Sequence, residues 1–180
     1  MKTIPMRRLL PAVLLAAIGL SSSFAAPPVA GLTAEQNQWL AKAERHEKAG
    51  WIYLHIEGAP HARGFQHGYL LAAEIAAGIR AMRADWEYET AMEWTWLQEQ
   101  AAAMFTANID EENLAELDGI VAGLQAAGVA SSRPELIAYN AFLELSWYWW
   151  PQELQKIKDG HAPPSPIRGP QSPAASPRRC

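Results

Sequence analysis

Cys180 is the one thiol of the 180-residue chain. An ionised thiol is a strong nucleophile and a metal ligand, and a single one excludes an internal disulfide framework. Its bare presence reads as a reactive group, an intermolecular link or an accident. His55, His61 and His67 recur every six residues. That interval matches no usual metal-ligand spacing, and it spreads the three over a strand, a turn and a helix, so they read as solvated or hydrogen-bonded histidines rather than a metal site. Glu87, Glu89 and Glu93 are candidate paired carboxylates, but on a charged helix such a run forms a solvated face. Trp147-Tyr148-Trp149-Trp150 offers a platform for lipid or sugar. One side of it continues the apolar face of its helix, which favours packing against a core or a partner. No phosphate-binding loop, Gly-x-Ser-x-Gly elbow or Cys-x-x-Cys pair is present, and nothing in the chain asks for a metal or a cofactor.

The densest stretch is Trp51 to Ile75. Ile52, Leu54 and Ile56 alternate with Trp51, Tyr53, His55 and Glu57, a period of two that predicts a strand. Gly58-Ala59-Pro60 ends it. Phe65, Tyr69, Ala72, Ile75, Ile79 and Met82 then recur at helical spacing, predicting a helix from Ala62 to about Asp85. Arg63 and Gly64 fall in its first turn, and Gln66, His67 and Gly68 fall one turn later. Glycines inside a helix let another backbone come close, so these five residues read first as tight packing and second as part of a site.

The flanking elements are predicted as follows. Ala34 to Lys48 reads as a charged helix anchored by Trp39 and stopped by Gly50. No second strand is convincing, and a lone strand needs a partner from elsewhere. Helices are also expected over Trp86 to about Asn108 and from about Asp110 to Gly128. Another opens at Ser132, with Glu135 at capping-box spacing and Pro134 in the first turn, and stops at Pro151.

The chain begins with Lys2, Arg7 and Arg8, an apolar run from Leu9 to Leu20, and small residues at Ser23 and Ala25. This is the three-part pattern of a cleavable secretory signal. Its apolar run of 12 residues is short of the roughly 20 that span a bilayer. The expected organisation is a signal over 1–25, a helical region over 26–158 and a Pro/Ser-rich linker or tail over 159–180. The expected product is exported to the periplasm or secreted, with no membrane span after cleavage. The full chain carries formal charge −4, and loss of the signal's three cations takes it to −7. An acidic chain with no basic run before its tail is a poor nucleic-acid binder.

The strand, the Gly-Ala-Pro turn and Arg63-Gly64-Phe65-Gln66-His67-Gly68 together resemble the start of autoproteolytic N-terminal-nucleophile hydrolases. The similarity is to the penicillin (isopenicillin N) acyltransferase family of cysteine amidohydrolases and the related phospholipase B-like proteins. Leu117 to Gly123 resembles their helix with two spaced glycines, and Glu135 to Ala141 resembles the helix that follows. The resemblance covers Trp51 to Pro151. It implies a mainly α N-terminal part, with one strand, of an α+β (αββα) precursor that cuts its own backbone before a cysteine. Cys180, after the helices and the linker, stands at that nucleophile position. The freed α-amine would serve as base to the thiol, and the reaction would be hydrolysis or transfer at an amide or related acyl bond of a small molecule. The partner implied is a β-rich catalytic region or subunit, and no cofactor is implied. Without that region the chain is expected to be inactive. Two other readings stay open: a secreted helical module that binds protein or lipid through its tryptophans, and a truncated frame whose ending from Ile167 is shifted.

Overall fold

In the computed structural model, which describes residues 30–164, the chain is mainly helical with one small antiparallel sheet. Helix α1 (Ala34–Leu40) opens on a reciprocal cap. The Thr33 hydroxyl accepts from the Gln36 N–H at 3.1 Å, and the Gln36 carboxamide accepts from the Thr33 N–H at 2.9 Å. The helix stops at Leu40, so the single helix expected over Ala34 to Lys48 is corrected to a helix and a strand. Strand β1 (Glu44–Lys48) pairs antiparallel with β2 (Trp51–His55), from Lys48 opposite Trp51 to Glu44 opposite His55. The cause is the turn. Ala49 and Gly50 both have positive φ, 52° and 80°, and two such residues in a row match the right-handed twist of a tight hairpin. The strand read at 51–57 therefore has a partner immediately upstream, across a two-residue turn, one whose charged composition hides it. His46 and Tyr53 stack across the pair with centroids 5.1 Å apart.

The helix expected from Ala62 to Asp85 is two helices. Helix α2 (Pro60–Leu70) ends at Leu71, whose φ of −113° and ψ of 22° break the regular backbone, and α3 (Ala72–Thr90) follows. Ala91 in the left-handed conformation (φ 58°) stops α3. Helix α4 (Trp94–Phe105) runs into a 3-10 turn at Thr106–Asn108. Asp110 caps α5 (Glu111–Ala126) by accepting from the Asn113 N–H at 2.8 Å, and Gly128 follows with φ 82°. Ser132 caps α6 (Arg133–Asn140) at 3.3 Å, as its spacing predicts. The Glu135 carboxylate accepts instead from the Trp94 indole at 3.2 Å, tying α6 to α4.

Pro151 does not stop the chain. A π-helical segment (Glu144–Trp149) precedes it, and α7 (Trp150–Lys158) carries Pro151 in its first turn. A proline ring clashes with the carbonyl four residues back and donates no hydrogen bond. The wider π turn makes room for both deficits.

The core lies between α3, α4, α6, the π segment and α7, around Trp86, Trp94, Leu97, Leu136 and Leu145. Trp86, Trp96, Trp149 and Trp150 form one ring cluster with centroids 5.3–6.3 Å apart. Half of the tryptophan run at 147–150 is thus core, while Trp147 and Tyr148 stand two-thirds exposed. Among the described residues no helix is long and apolar enough to cross a membrane.

Candidate functional site

Helices α2 and α5 touch backbone to backbone. A Cβ at Gly64 would fall within 3.0 Å of the Glu116 carbonyl, one at Gly68 would meet Ile120, one at Gly119 would meet His61, and one at Gly123 would meet Phe65. Each helix offers two glycines four residues apart, and each glycine pair receives the other helix. Contact advances in the same direction on both, so the two helices run parallel. At this range main-chain carbonyls face Cα–H groups, a weak attraction that recurs at close helix pairs.

Arg63 and Gln66 lock this pair to its surroundings. The Arg63 guanidinium donates to Glu116 at 2.8 Å, to Glu112 at 2.9 Å and to the Gly58 carbonyl at 3.1 Å. Its pKa is raised, chiefly by the hydrogen bonds it donates to Glu112 and Glu116. Gln66 is wholly buried. Its carboxamide accepts from the Glu57 N–H at 2.8 Å and donates to the Trp39 carbonyl at 2.7 Å and the Glu57 carbonyl at 3.1 Å. One side chain thereby satisfies the end of α1, the exit of β2 and its own amide. A buried amide needs such partners.

His67 has a different setting. It is half-buried at the rim of a cleft of about 490 Å³. Phe105, Leu117, Ile120 and Ile137 give the cleft an apolar floor, and Asn113, Glu116, Asn140 and Glu144 line it with polar groups. Asn113 and Asn140 are committed, to Asp110 at 3.1 Å and to the Leu136 carbonyl at 2.8 Å. Glu116 is held by Arg63. Burial lowers the His67 pKa, and the nearby Glu116 charge opposes this only in part. The imidazole is therefore neutral at neutral pH, with one nitrogen free to accept a proton and the other able to donate one. The cleft can hold an apolar group with a polar end and can exchange a proton there. No serine, threonine or cysteine is among its lining residues, so among the described residues it has no hydroxyl or thiol nucleophile of those types.

The five motif residues thus divide. Arg63, Gly64, Gln66 and Gly68 build the helix pair, and His67 faces the cleft. Cys180 lies outside the described residues, as do the signal at 1–25 and most of the tail. His55 is on β2, while His61 lies edge-on to Trp39 at 5.5 Å. Among the described residues no three His, Cys, Asp or Glu side chains gather to hold a metal. Sequence reasoning missed Glu112 and Glu116 as partners of Arg63. Their signal was present: 112, 116, 119 and 123 recur at helical spacing, which puts both carboxylates on the glycine face.

The chain was compared with protein-family models, curated proteins and solved structures, and none of them matches it.

Proposed function

We propose that this chain is the helical N-terminal region of an exported, autoproteolytic cysteine hydrolase or acyltransferase precursor that acts on amide or related acyl bonds. One observation carries the reading. The three stretches that resemble that family are far apart in sequence, yet all three line the His67 cleft: His67 from the first, Leu117 and Ile120 from the second, and Ile137, Asn140 and Ala141 from the third. In this reading the cleft lies beside the β-rich catalytic region, receives an apolar part of the substrate or of that region, and presents a neutral imidazole to it. Cys180 supplies the thiol after backbone cleavage, and its freed amine takes the thiol proton. The helical region alone has no amide-cleaving activity.

Reading the coding DNA beyond the Cys180 codon in all three frames tests this. A frame that continues into a β-rich region supports the precursor and fixes the register of the cysteine. Absence of such a region in every frame would overturn it.

A second reading, a secreted helical binding module, is favoured by the exposed rings of Trp51, Trp147 and Tyr148, each at least 67% exposed. Such a module unfolds cooperatively by itself and loses its partner on Trp147→Ala.

A further inference from the structure

A second groove, of about 430 Å³, lies against the tryptophan cluster, between α3, the π segment and α7. Trp86, Trp147, Trp150 and Leu154 give it apolar walls, and Asp85 and Glu89 stand along one edge. Neither carboxylate has an ion-pair partner among the described residues. Trp86 is 1% exposed, and its indole N–H has no acceptor among the described residues. The groove therefore combines flat aromatic walls and uncompensated negative charge.

We propose that this groove is the docking site of the chain's own segment of residues 165–180. That segment carries Pro166, Pro170, Pro173 and Pro177, with Pro170 and Pro173 at Pro-x-x-Pro spacing. Proline-rich chain favours the extended left-handed helix that aromatic grooves recognise, because little entropy is lost on binding. Arg168, Arg178 and Arg179 give it three positive charges and no negative one, whereas residues 30–164 hold nineteen acidic side chains against nine Lys and Arg. The guanidinium groups meet Asp85 and Glu89, and one stacks on an exposed ring. The reach suffices. Gly160, with φ 92°, ends α7 and turns the chain away from the helix axis. Helix α7 spans about 12 Å, and the sixteen residues extend to about 50 Å. The docking is independent of any catalytic role for Cys180.

The lone thiol makes the test direct. A nitroxide is attached to Cys180 of the chain of residues 26–180, with the bond before Cys180 shown intact by mass, and the tryptophan indole N–H signals are recorded by NMR with the label oxidised and then reduced. Docking predicts that Trp86, Trp147 and Trp150 lose more than half their intensity to the oxidised label while Trp51, on the hairpin, keeps most of its own. The Asp85→Asn/Glu89→Gln double variant, whose exposed sites leave the fold intact, should recover the lost signals at least twofold, as should 0.5 M salt. Equal broadening of all tryptophans, or none, overturns the proposal. So does broadening that appears when labelled chain is mixed with isotope-enriched Cys180→Ser chain, because the tail then docks on a second copy.

Discussion

Gly68 sits directly on Ile120: a Cβ built on this glycine would overlap the Ile120 carbonyl group, with its carbon 2.9 Å away. In an exposed helix, replacing glycine by alanine stabilises by about 1 kcal/mol. Here the sign reverses, because the atom in the way is backbone on a packed helix and cannot swing aside. Gly68→Ala is expected to destabilise by about 3 kcal/mol, as is Gly119→Ala, which meets His61. Urea unfolding of both variants checks this. Stabilisation by either would mean that the two helices are not in backbone contact. Gly128→Ala is a different control, since space is open there and only its φ of 82° opposes the change.

Gln66→Leu keeps the volume of the side chain and removes its three hydrogen bonds. The Glu57 amide is then left without a partner, while the Trp39 carbonyl keeps the Lys42 N–H at 3.1 Å. The expected loss is about 2 kcal/mol. Amide hydrogen exchange at Glu57 should also quicken more than exchange in α4, a local effect that general destabilisation would not produce.

These two residues show what the sequence holds. The internal glycines of 63–68 and 117–123 announce close packing, and each segment by itself says that some backbone approaches. That they approach each other is a tertiary fact with no local signal. Gln66 reads as an ordinary polar residue until α1 and β2 are seen to end beside it. The strand at 44–48 was hidden for a related reason. Its Glu, Arg, His, Glu and Lys have no β preference, and the hairpin depends on Ala49 adopting a φ that alanine rarely takes. Ser132 was legible as a cap because a cap is local chemistry. Pro151 misled because its effect depends on the π turn before it. Of the candidate site, His67 was legible and its burial was not.

Gln100 is wholly buried on α4, and neither end of its carboxamide has a partner among the described residues. A buried amide without hydrogen bonds costs free energy that an apolar side chain of similar size does not. Gln100→Met is therefore expected to raise stability by about 1 kcal/mol, read as a higher urea midpoint at unchanged slope. A drop of similar size would show that the amide has partners in solution.

His67 gives a pH signature. Its pKa is lowered in the folded chain by burial, so the unfolded chain binds the proton first as pH falls. The neutral form favours folding. This contribution is present in full above the unfolded value of about 6.5. It is lost as pH falls from there through the folded pKa, and is constant below it. Carboxylates titrate in the same region, so the comparison is with His67→Gln. The variant should lose less stability than the parent between pH 7.5 and pH 5. A His67 resonance titrating above 6.5 would contradict the assignment.

The most direct test of the central claim is the mass of the gene's full product after expression, with Cys180 intact and with Cys180→Ala. The precursor reading predicts two fragments, the second beginning at Cys180, and a single uncut chain in the variant. A parent chain that remains whole, or one cut at the same place in both, would contradict it.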